Sequence, residues 1–445
     1  MYLKIHLKNI LIILWIIVLL SYTIRPLYSP IINWNAFYFD VFIFFLSTFL
    51  YYRINNRSNY FDFDTLFIIL FFFVGYFATF FANSEIYPYL FLHFAFDEGY
   101  INSGATLFTI GILSYYLGRL SFYKGLRQGI SNHLACNSIS TNTLTTILSL
   151  LIVSYLLMGG LNYYKNIYLD NAYTYNGITI QIGILIQVIS IVIISTELYN
   201  YKINPKYKIK LWKIILIFLY CLLLLFVGNR TIPSFLVLAF LGLYTFYFKR
   251  IKLFYMLTFI AIAFIAMYVF SLLRSDYEIS LVSNAAIFTK DMTVNTRNTY
   301  VAMEYVSKNG LTYGKTMLSE PLGIIPFLSS ILHYNNTELS SASFLTDYSY
   351  TYIISNREFI GLGTNIIADI YLSFGGIGVI VLMYLLGKFV TWAMFGAQNL
   401  HYYSTIVFTI ILSYGAYWIR TGLLHPARTI VWALLIAYLN KKLTK

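Results

Sequence analysis

Five arginines at or near the ends of hydrophobic stretches, Arg230, Arg274, Arg297, Arg420 and Arg428, are the residues of this chain best suited to chemistry. A guanidinium grips two phosphate oxygens at once, a geometry lysine cannot match. Five of them beside lipid point to a polyanion. A lipid-anchored pyrophosphate fits, because its tail stays in the bilayer while its head meets the arginines. Arg230 lies in Gly228-Asn229-Arg230-Thr231-Ile232-Pro233, where glycine and asparagine permit a tight turn. Thr231 is expected to cap the helix that follows, and Pro233 is tolerated in its first turn. Arg230 then sits where free N–H groups and the helix dipole already favour an anion. Arg274 follows a hydrophobic run directly, with Asp276 as its alternative partner. A helix over 295–307 would put Arg297, Tyr300 and Glu304 on one face. That sets a cation near a candidate base, the alternative being an ordinary solvated ion pair. Arg420, His425 and Arg428 share one turn, with Pro426 at the start of the last helix. His425, flanked by two arginines, is an acid–base candidate; a plain helix-end polar residue is the alternative.

The elements that must hold these residues are membrane helices. The chain of 445 residues is 59% hydrophobic and 11% charged, with mean hydropathy +0.70. A soluble domain lacks the polar surface to cover so much apolar side chain. Runs such as 11–20, 66–81 and 253–270 approach or form the core of the ~20-residue length of a bilayer-crossing helix. Isolated strands are excluded in lipid, where backbone groups have no other partner. The composition therefore predicts an all-α, polytopic integral membrane protein, a single helical domain over 1–445. About twelve spans are expected, near 9–24, 36–52, 65–83, 103–118, 143–159, 178–198, 211–228, 231–248, 253–272, 364–387, 402–419 and 427–440. The first has Lys4 and Lys8 before it and no small-residue cleavage site after it, so it reads as a retained helix and not a signal peptide. Cys136 and Cys221 make neither a disulfide framework nor a metal site.

Charge then sets the topology. Net charge is +13, which would suggest nucleic acid if position were ignored. Threaded alternately with the N-terminus inside, nineteen of the 30 basic residues fall on the inner side, mostly in short loops. That is the positive-inside pattern. No nucleic-acid partner is expected, both termini are placed in the cytoplasm, and membrane lipids are the surroundings. The five arginines stand against this bias on the outer side, so orientation does not explain them. The outer side also receives the one long hydrophilic stretch, 273–360. Loops of that length are functional or disordered, and disordered ones are poor in aromatics. This one carries Tyr300, Tyr305, Tyr313, Phe327, Tyr334, Phe344, Tyr348, Tyr350 and Tyr352, so it is expected to fold back on the bundle. The rings could face sugars or form a small local core. No Walker loop, zinc motif or Asp-x-Asp pair appears outside, so no cofactor is expected and the leaving pyrophosphate would supply the energy.

Gly361-Leu362-Gly363-Thr364-Asn365 followed by Asp369-Ile370-Tyr371-Leu372-Ser373-Phe374-Gly375-Gly376-Ile377-Gly378 resembles a block in the bacterial O-antigen and oligosaccharide repeat-unit polymerases of the Wzy type. Gly228-Asn229-Arg230-Thr231 is similar to their Gly-Ser-Arg-type turn, and Tyr313-Gly314-Lys315-Thr316 with Pro326 to the middle of their external loop. The likeness runs from about 225 to 380. It departs from the family pattern in having Asp369 where glutamate is commoner, and in lacking an Arg-x10-Gly spacing after Arg297. The resemblance implies a glycosyltransferase at the outer face of the cytoplasmic membrane. It would join undecaprenyl-pyrophosphate-linked repeat units for O-antigen or capsule, with a flippase and a chain-length regulator as partners. The arginines would stabilise the leaving pyrophosphate, and Asp369, Glu304 and His425 are, in that order, the bases for the acceptor hydroxyl. Gly375, Gly376 and Gly378 are expected to let helices approach closely.

Two rival readings share the layout. A lipid-linked oligosaccharide flippase handles the same lipid but needs charges along a central cavity, and the spans read as almost free of charge at mid-membrane. An O-antigen ligase uses the same donor with a lipid A core acceptor. A purely structural membrane protein gives no reason for the arginines.

Overall fold

The computed structural model describes residues 2–91, 94, 96–121, 138–161, 177–272, 293–326, 328, 336–350 and 361–443, and every regular element among them is a helix. A helix lies in each of the twelve predicted stretches, those at 65–83 and 402–419 ending well short of the predicted bound: α1 Tyr2–Ile24, α2 Trp34–Asn55, α3 Phe63–Gly75, α4 Ile101–Ser121, α5 Asn142–Leu157, α6 Gly177–Ile203, α7 Leu211–Phe226, α8 Thr231–Tyr247 and α9 Leu253–Leu272, then α12 Ile366–Gln398, α13 Tyr402–Tyr414 and α14 Ala427–Leu443. Between them lie α10 Arg297–Asn309 and α11 Ser341–Tyr350. Among the described residues, five helical stretches are long and apolar enough to cross a membrane: Lys4–Ile24, Trp34–Asn55, Phe63–Phe81, Gly177–Ile203 and Ile366–Gln398. Side-chain caps start several helices. Asn33, Asp62 and Asn365 accept from the backbone N–H of Ala36, Thr65 and Ala368 at 3.1, 2.9 and 2.8 Å, each satisfying an otherwise orphaned donor.

The connecting segments gather at two ends, as alternate threading requires. At one end Tyr60 N donates to Ile251 O, Ile139 N to Asn200 and Asn440 to Ser140 O, at 2.9, 3.0 and 2.9 Å. The other, the loop end, holds 293–326, 336–350 and 361–364. The centre of the bundle is α4 packed on α12. Gly118 and Gly387 face each other there: a Cβ on either would lie 2.0 Å from Tyr384 O or 2.3 Å from Tyr115 O. Only glycine lets the two backbones come so close.

Two expectations need correction. The stretch 388–401, read as a loop, is mostly helix, since α12 continues to Gln398. Its helix breaks instead at Gly375 (φ 64°, ψ −162°), so the glycine there turns the chain. The spans also hold more charge than their sequence implied. Asp40, Asp64, Arg119, Glu197 and Lys213 are all buried. They lie near helix ends and are paired: Arg25 with Asp40 at 3.0 Å, Lys213 with Glu197 at 2.9 Å, and Asp64 with both Arg57 and Arg119. Arg57 and Arg119, counted above only by the side on which the charge pattern puts them, are thus ion-paired braces.

The long segment folds back on the bundle where it is described. Tyr300 lies over Gly104, where a Cβ would meet its ring at 2.6 Å, and stacks on Phe96 at 5.3 Å. Tyr305 meets Phe344 and Tyr348 edge-on at 4.9 and 5.2 Å. These rings form a local core, the second of the two readings above. Tyr313 stays 81% exposed. Phe327, Tyr334 and Tyr352 lie outside the described residues.

Asp64 takes hydrogen bonds from Tyr51 at 2.8 Å and Arg119 at 2.7 Å and also pairs with Arg57. Asp64→Ala leaves two buried guanidiniums facing each other, a loss of about 3–5 kcal/mol. The thermal midpoint of the detergent-purified protein should fall clearly. An unchanged midpoint would show that the cluster does not brace α2, α3, α4 and α12.

Candidate functional site

At the loop end, α6, α8, α13 and α14 meet around a cleft of about 300 Å³. The turn before α8 forms one wall, with Asn229, Thr231 and Ile232, and the segment before α14 forms the opposite wall, with His425 and Arg428. Gln187, Tyr414 and Thr429 line it further along. Turns distant in sequence therefore converge, because α7–α8 and α13–α14 are both hairpins that open to the same end.

The turn before α8 differs from its sequence reading in one respect. Gly228 adopts φ 97°, as a tight turn requires. The cap, however, is Asn229, whose Oδ1 accepts from Thr231 N at 3.0 Å and Ile232 N at 3.3 Å. Pro233 has no N–H, and Ser234 N donates to Arg230 O at 3.1 Å. The first-turn N–H groups are thus satisfied internally, so the helix offers an anion its dipole and not free donors. Arg230 is half-buried, and its guanidinium has no hydrogen-bond or ion-pair partner among the described residues.

His425 is held from outside the bundle. Its Nδ1 lies 2.7 Å from Glu320 Oε1, which leaves Nε2 for a ligand. Glu320 belongs to the short helical turn Ser319–Leu322, and Trp432 of α14 pins that segment by donating to Ile324 O at 2.7 Å. Tyr414 meets the imidazole edge-on at 5.5 Å, bonds Thr429 at 2.9 Å and stacks on Phe235 at 4.4 Å. Arg428 lines the cleft beside Gly323, with no hydrogen-bond or ion-pair partner among the described residues.

Asp369 lies behind this wall. It is 2% exposed, and its Oδ2 accepts from Leu423 N at 2.8 Å. Gly422 packs on the carboxylate so closely that a Cβ would stand 2.9 Å from Oδ2. Trp418 Nε1 donates to Leu423 O at 2.9 Å. Both polar groups of Leu423 are therefore fixed, and with them the turn that carries His425. Glu320 and His425 are near enough to act electrostatically on Asp369.

The other predicted residues lie elsewhere. Arg297 is fully buried, donates to Ser349 Oγ at 3.0 Å and sits over the Phe94 ring at 5.8 Å. Burial lowers its pKa to about 10, so it stays charged at neutral pH. Glu304 is buried on the same helix, as the spacing predicts, but pairs with Lys308 at 2.7 Å. Arg420 lies over Tyr417 at 5.8 Å, and its Nε donates to the Asn295 side-chain oxygen at 3.3 Å, the Asn295 amide nitrogen then donating to Leu362 O at 2.9 Å. Arg274 lies outside the described residues. The structure thus brings together Arg428, His425 and the Arg230 turn, with Asp369 behind them, and does not bring Arg297 or Glu304 into the cleft lining.

The Gly361–Asn365 block has a structural task. Asn365 Nδ2 donates to Asn295 O at 2.6 Å and to Thr299 at 2.9 Å, while Asn298 donates to the carbonyls of Leu362 and Gly363 at 3.0 and 3.1 Å. Gly363 (φ 66°) makes the turn. The block clamps α10 to the start of α12. Sequence reading missed Glu320, whose partner lies 105 positions away. It also passed over Gln187, although a glutamine inside the apolar run 178–198 is a signal in its own right.

A carboxylate that positions Leu423 N needs an acceptor oxygen; a general base needs a titratable one. Asp369→Asn should therefore keep most activity, because the amide oxygen still accepts from Leu423 N, whereas Asp369→Ala should lose about tenfold or more. Equal, near-complete loss in both variants would make Asp369 the base.

No curated protein and no solved structure shows a significant match to the chain. A family comparison gives a different result: residues 10–440 match the family described as O-antigen polysaccharide polymerase Wzy, and the chain belongs to that family of membrane-bound polymerases.

Proposed function

We propose that the protein is a glycosyltransferase that joins undecaprenyl-pyrophosphate-linked repeat units, with the cleft between α6, α8, α13 and α14 at the outer face of the cytoplasmic membrane. The observation that supports this most is the convergence of Arg428 and the Glu320-held His425 on one cleft at the loop end. In this reading the chain spans the membrane about twelve times with both termini cytoplasmic. A flippase supplies repeat units and a chain-length regulator acts on the product.

The acceptor hydroxyl attacks the donor's anomeric carbon. A new C–O bond forms as the bond from that carbon to the phosphate oxygen breaks. The hydroxyl proton passes to His425 Nε2, and undecaprenyl pyrophosphate leaves with the electron pair. Glu320 stabilises the imidazolium that results, as a carboxylate on Nδ1 does in other acid–base pairs. Arg428, with Arg230 across the cleft mouth and the dipole of α8, stabilises the charge that develops on the leaving group. Arg420 contributes through its bond to Asn295, which precedes α10, and Arg297 by bracing α10 against α11. His425 takes the role of base ahead of Asp369 and Glu304, because it lines the cleft with one nitrogen left over.

The test is a strain in which the only copy carries Arg428→Ala, its surface glycan run on a gel beside the parent. Losing one charge-stabilising donor should slow transfer about 10²-fold or more, so the ladder should collapse toward a single repeat unit that still reaches the surface. Arg428→Lys should be intermediate. A parental ladder from Arg428→Ala would sink the clamp. In the deletion strain, absence of any surface repeat would favour a flippase, and long lipid-linked chains that fail to attach would favour a ligase.

A second expectation concerns the dyad. His425→Ala should lower kcat about 10²–10⁴-fold, the usual share of general-base catalysis. Full activity in that variant, measured with membranes and lipid-linked repeat units, would remove His425 from the mechanism.

A further inference from the structure

We infer that the cleft itself is a saccharide subsite for the acceptor repeat unit, with Gln187 as its recognition residue; this rests on the polymerase reading above. Gln187 projects from α6 within an apolar run and is 7% exposed. It lines the cleft beside Tyr414, with which its side chain interacts, and its carboxamide nitrogen makes no well-formed hydrogen bond among the described residues. Buried amides are normally satisfied, and a polar side chain kept inside a membrane helix is ordinarily there for a ligand or a neighbouring helix. A turn about its last side-chain bonds presents either the donor or the acceptor end of the amide.

The rest of the lining fits a neutral hydroxylated ring better than a pyrophosphate. Arg428 is the one guanidinium that lines the cleft. Besides it, Gln187 and His425, the lining has one asparagine, two threonines, two isoleucines and the stacked Phe235–Tyr414 pair. Aromatic faces with a few fixed neutral hydrogen-bonding groups suit the apolar faces and hydroxyls of a sugar. A volume of about 300 Å³ is at the small end of ligand pockets, so it suits one ring and not an extended glycan. His425 decides which sugar this is. Its Nδ1 is occupied by Glu320, so the nitrogen left for a ligand is suited to accept a proton. The acceptor sugar has a hydroxyl proton to give up, and the donor's anomeric carbon has none. The pyrophosphate then sits at the rim, where Arg428 and the Arg230 turn meet it.

The full-length protein in membrane vesicles tests this, with lipid-linked repeat units as donor and acceptor and inorganic pyrophosphate as a competitor. Gln187→Leu should raise KM for the acceptor about tenfold, with kcat within a factor of about three and inhibition by pyrophosphate unchanged. Thr231 is an exposed residue on the cleft wall. Thr231→Trp should plug the cleft without disturbing the fold and raise acceptor KM in the same way, so it carries the test if Gln187→Leu fails to reach the membrane. A rise confined to donor KM or to pyrophosphate inhibition would make this the donor subsite and overturn the inference. So would parental acceptor KM in both variants while the wild type polymerises. A wild type that does not polymerise at all would overturn the underlying reading, and this inference with it.

Discussion

The hydrogen bond from Leu423 N to Asp369 is the constraint on which the geometry of the site depends. A turn between two membrane helices has few ways to be held: its backbone groups must be satisfied by protein, because lipid offers nothing. Asp369 and Trp418 take both polar groups of Leu423, and Gly422 lets the carboxylate come into contact. The turn is thereby fixed two residues before His425 and five before Arg428. A site whose histidine and arginine must sit within a fraction of an ångström of their targets needs that second layer of support. Asp369, the acid most conspicuous in the sequence, is best explained as part of that layer.

The same logic runs through the long segment. Asn365 caps α12 and also grips Asn295 and Thr299. One side chain thus ends the irregular chain, starts the helix and docks α10. Trp432 then holds the stretch that presents Glu320 to His425. The segment thereby brings a carboxylate to His425.

What the sequence disclosed and what it concealed divide along physical lines. Helix positions were legible because bilayer thickness imposes a length and an apolarity that any window detects, although five of the described helical stretches meet that length and apolarity in full. The folding back of the long segment was legible from its aromatics. The placement of the arginines was only half legible. Five arginines looked alike as residue types, but Arg297 is buried at 0% exposure while Arg428 lines a cleft, and that difference arises from packing between segments far apart in the chain. The turn at Gly228 was visible, yet the cap proved to be Asn229, one position before the arginine. Glu320 was invisible because its meaning comes wholly from a histidine brought to it by the fold. Charges such as Asp64 and Glu197 drew no reading from the sequence, and only pairing reveals them as braces.

Separating the charges from the chemistry has a reason. Stabilising a leaving pyrophosphate calls for cations where charge accumulates, and cations near lipid are tolerated only close to the aqueous rim, where they keep some hydration. Removing a proton from a neutral hydroxyl calls for the reverse, a sheltered pocket in which a base is not already protonated by strong fields. Lining the whole cleft with guanidiniums would hold the donor but disfavour an imidazolium beside them. The arrangement seen here, with one arginine at the cleft, a carboxylate on the far side of the imidazole and an uncharged amide deeper in, satisfies both demands. Glu320 and Arg428 set one charge of each sign at the cleft that His425 lines, the arrangement that the proposed transfer calls for.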